Sequence, residues 1–426
     1  MSLLTTRQLS VAEAFESLVR GALPIRFTAY DGSAAGPPDA ALGLRLTSER
    51  GLSYLLTAPG DLGLARAYAA GDLELEDVHP GDPYPALREL KQVRFHTPGP
   101  AEMMALLRSL GVAHLVPPRP PPQERLPRWR RTVEGLRHSR SRDARVIEHH
   151  YDVSNRFYEL VLGPSMAYTC AVFPHEGSTL EEAQAAKFDL VARKLDLQPG
   201  ERMLDVGCGW GGLAMHAARE YGQQVLAVTL SPGQAEWARQ AVAQAGLSDQ
   251  VEVRCQDYRE VTESGFDAVA SIGMLEHVGV RNYAPYFEHL RERVRPGGRL
   301  LNHCITRPHN RRTETGAFID RYIFPDGELT GVGRIIVAGQ DSGLEMQHAE
   351  NLRPHYARTL AAWGSNLREH WDACVAEAGL ATAKVWGIYL AGSRLGFELN
   401  DIELHQVLFT RTEPDGSGGF GLETHW

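Results

Sequence analysis

The residues that could do chemistry begin at Arg202-Met-Leu-Asp205-Val-Gly207-Cys-Gly209-Trp-Gly211-Gly212, an apolar run that ends in an acid and passes into clustered glycines. The helix-like Leu213-Ala-Met-His-Ala-Ala-Arg219 follows. A strand, a glycine loop and a helix in this order bring a ligand against bare backbone, where side chains would obstruct it. The chemistry implied is binding of an adenosine-type cofactor. A nicotinamide dinucleotide would need an acid about 20 residues further on to hold its ribose. Here the second apolar run ends in Thr229-Leu230-Ser231, with no acid. The third ends in Gln256-Asp257-Tyr258, whose polar and aromatic side chains suit an adenine amine and ring face.

The elements that must position these residues alternate from about residue 146 onward. Strands are expected at 203–206, 225–230, 251–255, 268–272 and 299–304, with a late strand at 403–409. Helices are expected at 232–245 and 282–293. Ser231 has the type of an N-cap, with Pro232 at the first helical position and Gln234 at the third. Ser178-Thr-Leu-Glu181 has the spacing of a capping box that opens a helix running through Lys194. Phe266-Asp267 opens the fourth strand, and Pro296-Gly297-Gly298 precedes the fifth. Repeated strand-then-helix spacing predicts an open, mostly parallel sheet.

Three regions separate by composition. Residues 1–115 mix a helical pattern (11–20) with strand-like runs (42–47) and read as a small α+β domain without a catalytic motif. Residues 116–145 form a Pro/Arg-rich linker, and 146–426 form the catalytic domain. The linker carries nine arginines between Arg119 and Arg145 against Glu124, Glu134 and Asp143, with Leu126, Trp129 and Leu136 interleaved. It reads equally as a solvated connection and as a segment that attracts anionic lipid headgroups. The net charge of −9 argues against a nucleic-acid partner. Five widely spaced cysteines without a C-x-x-C pair fit a reducing cytoplasm and give no metal site. Charged residues from Arg7 to Arg20 interrupt any signal-peptide core. No apolar run approaches the roughly 18 residues of a membrane span, so any membrane contact is expected to be peripheral.

The Asp-x-Gly-x-Gly-x-Gly loop, the acid in the third turn and the Pro-Gly-Gly turn resemble, in order, the class I S-adenosylmethionine-dependent methyltransferases. Further motifs narrow this: His150-Tyr-Asp152-Val-Ser-Asn155-Arg-Phe157-Tyr158, Tyr168-Thr169-Cys170-Ala171 and Gly273-Met-Leu-Glu276-His277-Val278-Gly279. Asn302-His303-Cys-Ile305-Thr306, Tyr322-Ile-Phe324-Pro325 and His355-Tyr356-Ala-Arg358 follow. Over residues 146–412 this series resembles the cyclopropane fatty-acyl-phospholipid synthase and mycolic acid synthase family. The resemblance implies a Rossmann-like α/β catalytic domain beside the smaller α+β domain. It implies methyl transfer from S-adenosylmethionine to the double bond of a phospholipid acyl chain, forming a cyclopropane through a carbocation.

In that family a bound bicarbonate ion removes the proton. Its holders map onto the side chains of Glu276, His303 and Tyr356 and onto the backbone at Cys170 and Ile305. Cofactor contacts map onto Tyr168, Thr169, Gly207, Gly209, Thr229, Leu230, Gln234, Asp257, Tyr258 and Ile272, with Asp205 orienting the glycine loop. Tyr283, Phe287, Phe318, Tyr322 and Phe324 suit either an acyl tunnel or plain core packing. Arg307, Arg311, Arg312 and Arg321 suit either lipid phosphates or a solvated loop. One departure is Ser393, where phospholipid-type members often carry cysteine. The resemblance further implies a homodimer associated with the inner face of the membrane. A methylene-branched product, a small-molecule methyltransferase and an inactive lipid-binding protein stand as alternatives.

Overall fold

The computed structural model describes residues 8–124, 153–421 and 426. The arginines of the linker from Arg125 on, and the motif residues His150 to Asp152, lie outside the described residues. By contacts the chain divides into two compact units. One comprises Met1–Arg125, Gly316–Tyr322 and Leu367–Leu395; the other comprises Leu126–Thr315, Ile323–Asn366 and Gly396–Trp426.

The second unit is built on seven strands: β1 (Arg202–Val206), β2 (Gln224–Thr229), β3 (Val251–Cys255), β4 (Phe266–Ile272), β5 (Val294–Thr306), β6 (Glu345–Asn351) and β7 (Glu403–Thr410). Their order across the sheet is β6-β7-β5-β4-β1-β2-β3. Strands β1 to β5 are parallel, whereas β7 runs antiparallel to both β5 and β6. The chain reverses direction across the sheet between β1 and β4, and the crevice beyond the carboxyl ends of the strands at such a point is where open α/β sheets bind ligands.

Alternate residues of each strand face opposite sides. Met203, Val225, Ala227, Val253, Ala268 and Ala270 pack beneath the helices Leu180–Leu195, Gly212–Tyr221 and Pro232–Gln244. Leu204, Val206, Leu226, Val228, Val269 and Leu300 pack on the other side against the helices Tyr283–Arg293 and Val332–Asp341. Both faces are covered, which is why the central strands read as unbroken apolar runs.

The expected strands and helices fall within a few residues of the observed ones, with three differences of substance. The capping box is shifted by one: Thr179 is the N-cap and Glu182 its reciprocal partner, because Ser178 Oγ instead accepts from the His175 N–H. The first helix ends at Ser17, since Val19 and Arg20 leave it to pair with Phe95 and Arg94. Strand β5 takes in the Pro-Gly-Gly turn and starts at Val294, with a register shift opposite Phe266.

The first unit holds a four-stranded sheet in the order Ala34–Ala35, Arg26–Ala29, Gly43–Leu46, Leu73–Glu76. Phe27, Leu44, Leu46, Leu52 and Tyr54 form its core. Within this unit the Glu124 side chain is fully buried and holds the guanidinium groups of Arg66 and Arg321. No helix among the described residues is long and apolar enough to cross a membrane.

Candidate active site

Two cavities open at the carboxyl ends of β1, β2 and β4. One is lined by Gly207, Gly209, Thr229, Leu230, Gln234 and Tyr258, together with Gln256, Met274, His277, Phe324 and Pro325. The other shares Gly207, Gly209 and Gln234 and adds Tyr168, Thr169, Asp205, Ile272, Lys187 and Trp210. Ten of the eleven residues expected to contact the cofactor therefore line this paired cavity. The exception is Asp257. Its carboxylate turns to the Arg259 guanidinium, at 2.8 and 2.6 Å, and caps the short helical turn Tyr258–Glu260, while Gln256 takes the place in the wall.

Local chemistry shapes the walls. Gly207 has φ +79°, and a Cβ there would stand 3.2 Å from Met274 Sδ. Gly273 has φ +68°, and a Cβ there would stand 2.9 Å from Thr169 Cγ2. Both positions need a residue without a side chain. Ser231 Oγ accepts from the Gln234 N–H, and the Gln234 side chain lies 2.9 Å from Thr229 Oγ1. The loop carrying Tyr168 and Thr169 is held by buried Gln184, whose Nε2 donates to the Ala167 and Thr169 carbonyls. Trp210 Nε1 donates to Asn155 Oδ1, which fixes the glycine loop to the helix Asn155–Leu162.

The electrostatics of this cavity rest on two buried ionisable side chains. Burial pushes the Asp205 carboxyl up to about 7, and Lys187 pulls it back. Burial pushes the Lys187 ammonium down to about 7, with Cys170 and Asp205 opposing. Lys187 Nζ donates to Thr169 Oγ1 at 3.0 Å, and Asp205 Oδ2 is buried without a hydrogen-bond partner. The sequence reading missed Lys187. A signal existed: Gln184, Lys187 and Lys194 fall on the same face of their helix as Val191, the face that is otherwise apolar.

The five expected bicarbonate holders fall into two groups. Glu276 lies on the short helix Leu275–Val278 just past β4, and its Oε1 accepts from the Ile305 N–H at 2.7 Å. His303 pairs with Ile272 across β4 and β5, and its carbonyl accepts from the Gly273 N–H. Cys170 and Tyr356 share a contact of their own: Cys170 Sγ and the Tyr356 N–H both point to the Leu352 carbonyl. Lys187 stands within electrostatic reach of both groups, since its charge acts on Cys170 and on His303. Burial raises the Glu276 carboxyl to about 7 and holds the His303 imidazole far below its ordinary value. Glu276 Oε2 and His303 Nε2 are buried and have no hydrogen-bond partner. The Tyr356 ring packs on Phe397, at 4.5 Å between centroids.

The aromatics divide. Phe324 stacks near Tyr168, at 6.1 Å, and lines the cavity. Tyr283 and Phe287 belong to the core around Tyr286 and Phe409, which makes them packing residues. Phe318 and Tyr322 lie together in the first unit, where Tyr322 donates to Glu124. The arginines between the motifs are largely used internally: Arg307 by Thr313 and the Asp401 carbonyl, Arg312 by Glu328, Arg321 by Glu124. Ser393 sits on the helix Leu380–Glu398.

A family model described as mycolic acid cyclopropane synthetase matches residues 138–407. The probable fatty acid methyltransferase Rv3720 of Mycobacterium tuberculosis is 56% identical over 426 residues, covering 99% of this chain and 100% of its own length. The cyclopropane-fatty-acyl-phospholipid synthase of Escherichia coli is 35% identical over 273 residues, 64% of this chain and 69% of that one. A solved structure of the mycolic acid cyclopropane synthase CmaA1, complexed with SAH and CTAB, superimposes with a TM-score of 0.59 at 32% identity, covering 62% of this chain and 97% of that one. The cavity at the strand ends, the glycine loop and these matches agree: the chain belongs to the mycolic acid cyclopropane synthetase family and is an S-adenosylmethionine-dependent methyltransferase.

Proposed function

We propose that this enzyme transfers a methyl group from S-adenosylmethionine to the double bond of an unsaturated phospholipid acyl chain and closes it to a cyclopropane. The observation that carries the reading is the pair of buried polar atoms without partners, Glu276 Oε2 and His303 Nε2, at the ends of neighbouring strands. Buried polar atoms are almost always hydrogen-bonded, so two orphaned atoms on residues next to the wall residues Ile272 and Met274 support a ligand position there. A carboxylate and an imidazole together suit a small group with both an O–H and acceptor oxygens, which bicarbonate has.

When bound, S-adenosylmethionine supplies the methyl group to one alkene carbon, and bicarbonate supplies the base that takes a proton from that methyl as the ring closes. The chain's own residues do the rest. Glu276, held by the Ile305 N–H, accepts from the ligand's O–H, and His303 and Tyr356 donate to its oxygens. Gly207, Gly209, Gln234 and Tyr258 hold the donor against the strand ends. The apolar surroundings keep out water, which would trap a carbocation. An alkene has no proton to lose before attack, so the site needs no activated nucleophile. Burial accordingly keeps the Cys170 thiol far from ionisation.

Intact phospholipid as substrate is supported by the additional first unit and by the likeness to the cyclopropane-fatty-acyl-phospholipid synthase of Escherichia coli. Exposed Phe95, Met103, Met104, Val112 and Val116 in that unit support contact with a lipid surface. The test is product identification. Protein, S-adenosylmethionine, bicarbonate and vesicles of mono-unsaturated phospholipid are incubated, and the acyl chains go to mass spectrometry and proton NMR. High-field ring protons establish the cyclopropane. Vinylic methylene protons at the same mass establish a methylene-branched product instead. Unchanged chains with intact cofactor binding overturn the phospholipid reading.

A further inference from the structure

Behind His303 lies a line of polar residues that the reaction itself does not use. His303 on β5, Gln406 on β7 and Glu350 on β6 are direct neighbours across three adjacent strands. Cross-strand partners share a face. Lys194, from the helix Leu180–Leu195, lies over that face fully buried, and its Nζ stands 2.5 Å from Glu350 Oε2 and 2.6 Å from Gln406 Oε1. Gln406 Nε2 stands 3.2 Å from His303 Nδ1.

Burial lowers the Lys194 pKa, and the Glu350 carboxylate against it holds the ammonium; with that charge in place the hydrogen-bond polarity of this line has one solution. An ammonium has three donors and no acceptor, so Gln406 must turn its oxygen to Lys194. The reversed amide would set NH2 against NH3+. With its oxygen committed, Gln406 offers N–H to His303 Nδ1, which must accept. The imidazole proton is then on Nε2, the nitrogen that has no protein partner. Burial and the charges of Lys187 and Lys194 keep the ring neutral, so no second proton blurs the choice.

We infer that Glu350, Lys194 and Gln406 form a positioning relay that locks His303 in the Nε2–H tautomer, so that it presents a donor to the anion in the site. The role in the reaction rests on the function proposed above; the tautomer does not. In the other tautomer His303 would aim a lone pair at the anion's oxygens. A wrong histidine tautomer in a serine protease triad costs about 10,000-fold in turnover, which shows the scale available.

The experiment uses the full chain with 15N-labelled histidine rings, and His303→Asn identifies the His303 signals by their loss. Long-range proton–nitrogen NMR at pH 8 should show a protonated Nε2 and a bare Nδ1. In Gln406→Glu the new carboxylate accepts from Nδ1–H, so the pattern should invert or become doubly protonated. Turnover on lipid vesicles should then fall about 100-fold or more, with calorimetric affinity for S-adenosylhomocysteine within about threefold of wild type, which certifies the fold. In Gln406→Met the ring should populate both tautomers. A wild-type proton on Nδ1 overturns the relay even if the reaction is as proposed, and so does a ring pattern unchanged by both substitutions. Wild-type turnover by His303→Ala overturns the reading of the reaction and the relay's part in it, while the NMR pattern still judges the tautomer.

Discussion

Glu276 and Ile305 come from different elements, a short helix after β4 and the last turn of β5, and a single hydrogen bond of 2.7 Å joins the carboxylate to the backbone N–H. That bond occupies one carboxylate oxygen and leaves the other buried and unpartnered. The consequence is a carboxyl group fixed in direction but short of one interaction.

Glu276→Gln keeps the shape and turns one of the two acceptor oxygens into a donor. Turnover should fall by about 100- to 1,000-fold, the range typical for one preorganised polar contact. Affinity for S-adenosylhomocysteine should stay within a small factor, since Glu276 is not in the wall of either cavity at the strand ends. Methyl incorporation from labelled donor and isothermal calorimetry check both parts; a proportional loss in the two would place Glu276 in cofactor binding instead.

The same substitution has a pH signature in stability. Burial raises the Glu276 carboxyl from 4.5 to about 7. Between those values the folded protein keeps a proton that the unfolded chain has lost, so this group makes stability fall as pH rises through that window. Glu276→Gln removes the dependence. The melting temperature of the variant minus that of wild type should therefore grow from pH 4.5 to 7 and level off above it. A flat difference across the window would mean the carboxyl is not raised.

Gly207 adopts φ +79°, with Met274 close to where a Cβ would lie. Gly207→Ala combines left-handed strain with a contact at the cavity wall. Affinity for S-adenosylhomocysteine should fall by about tenfold, and the melting temperature by several degrees, for a cost of about 1–2 kcal/mol. Calorimetry and thermal melts read these independently.

Lys187 is a buried cation whose side chain reaches Thr169 and the cofactor cavity. Replacing a buried charge by an apolar residue of similar volume is often neutral or stabilising for the fold. Lys187→Met should therefore melt no lower than wild type at pH 7 while binding S-adenosylhomocysteine about tenfold more weakly, the loss expected for one charge-assisted contact. Unchanged affinity would assign Lys187 to structure alone.

The sequence by itself determined the positions of the parallel strands, the glycine loop and the cap at Ser231, because these depend on local periodicity and on residues that make their own hydrogen bonds. Ten of the eleven residues it assigned to the cofactor line the cavities, and most of these follow directly from strand ends. What it could not determine was which side chain faces which. Asp257 had the type for a cofactor contact, yet a neighbour two residues on, Arg259, claims its carboxylate. Tyr283 and Phe287 had the type for a tunnel, yet the face of their helix points to Phe409 and the core. The line Glu350–Lys194–Gln406–His303 joins residues up to 212 positions apart. Only the antiparallel register of β7 between β5 and β6 brings them together, and burial then forces each polar atom to find a partner, which makes the direction of every proton in that line a property of the fold.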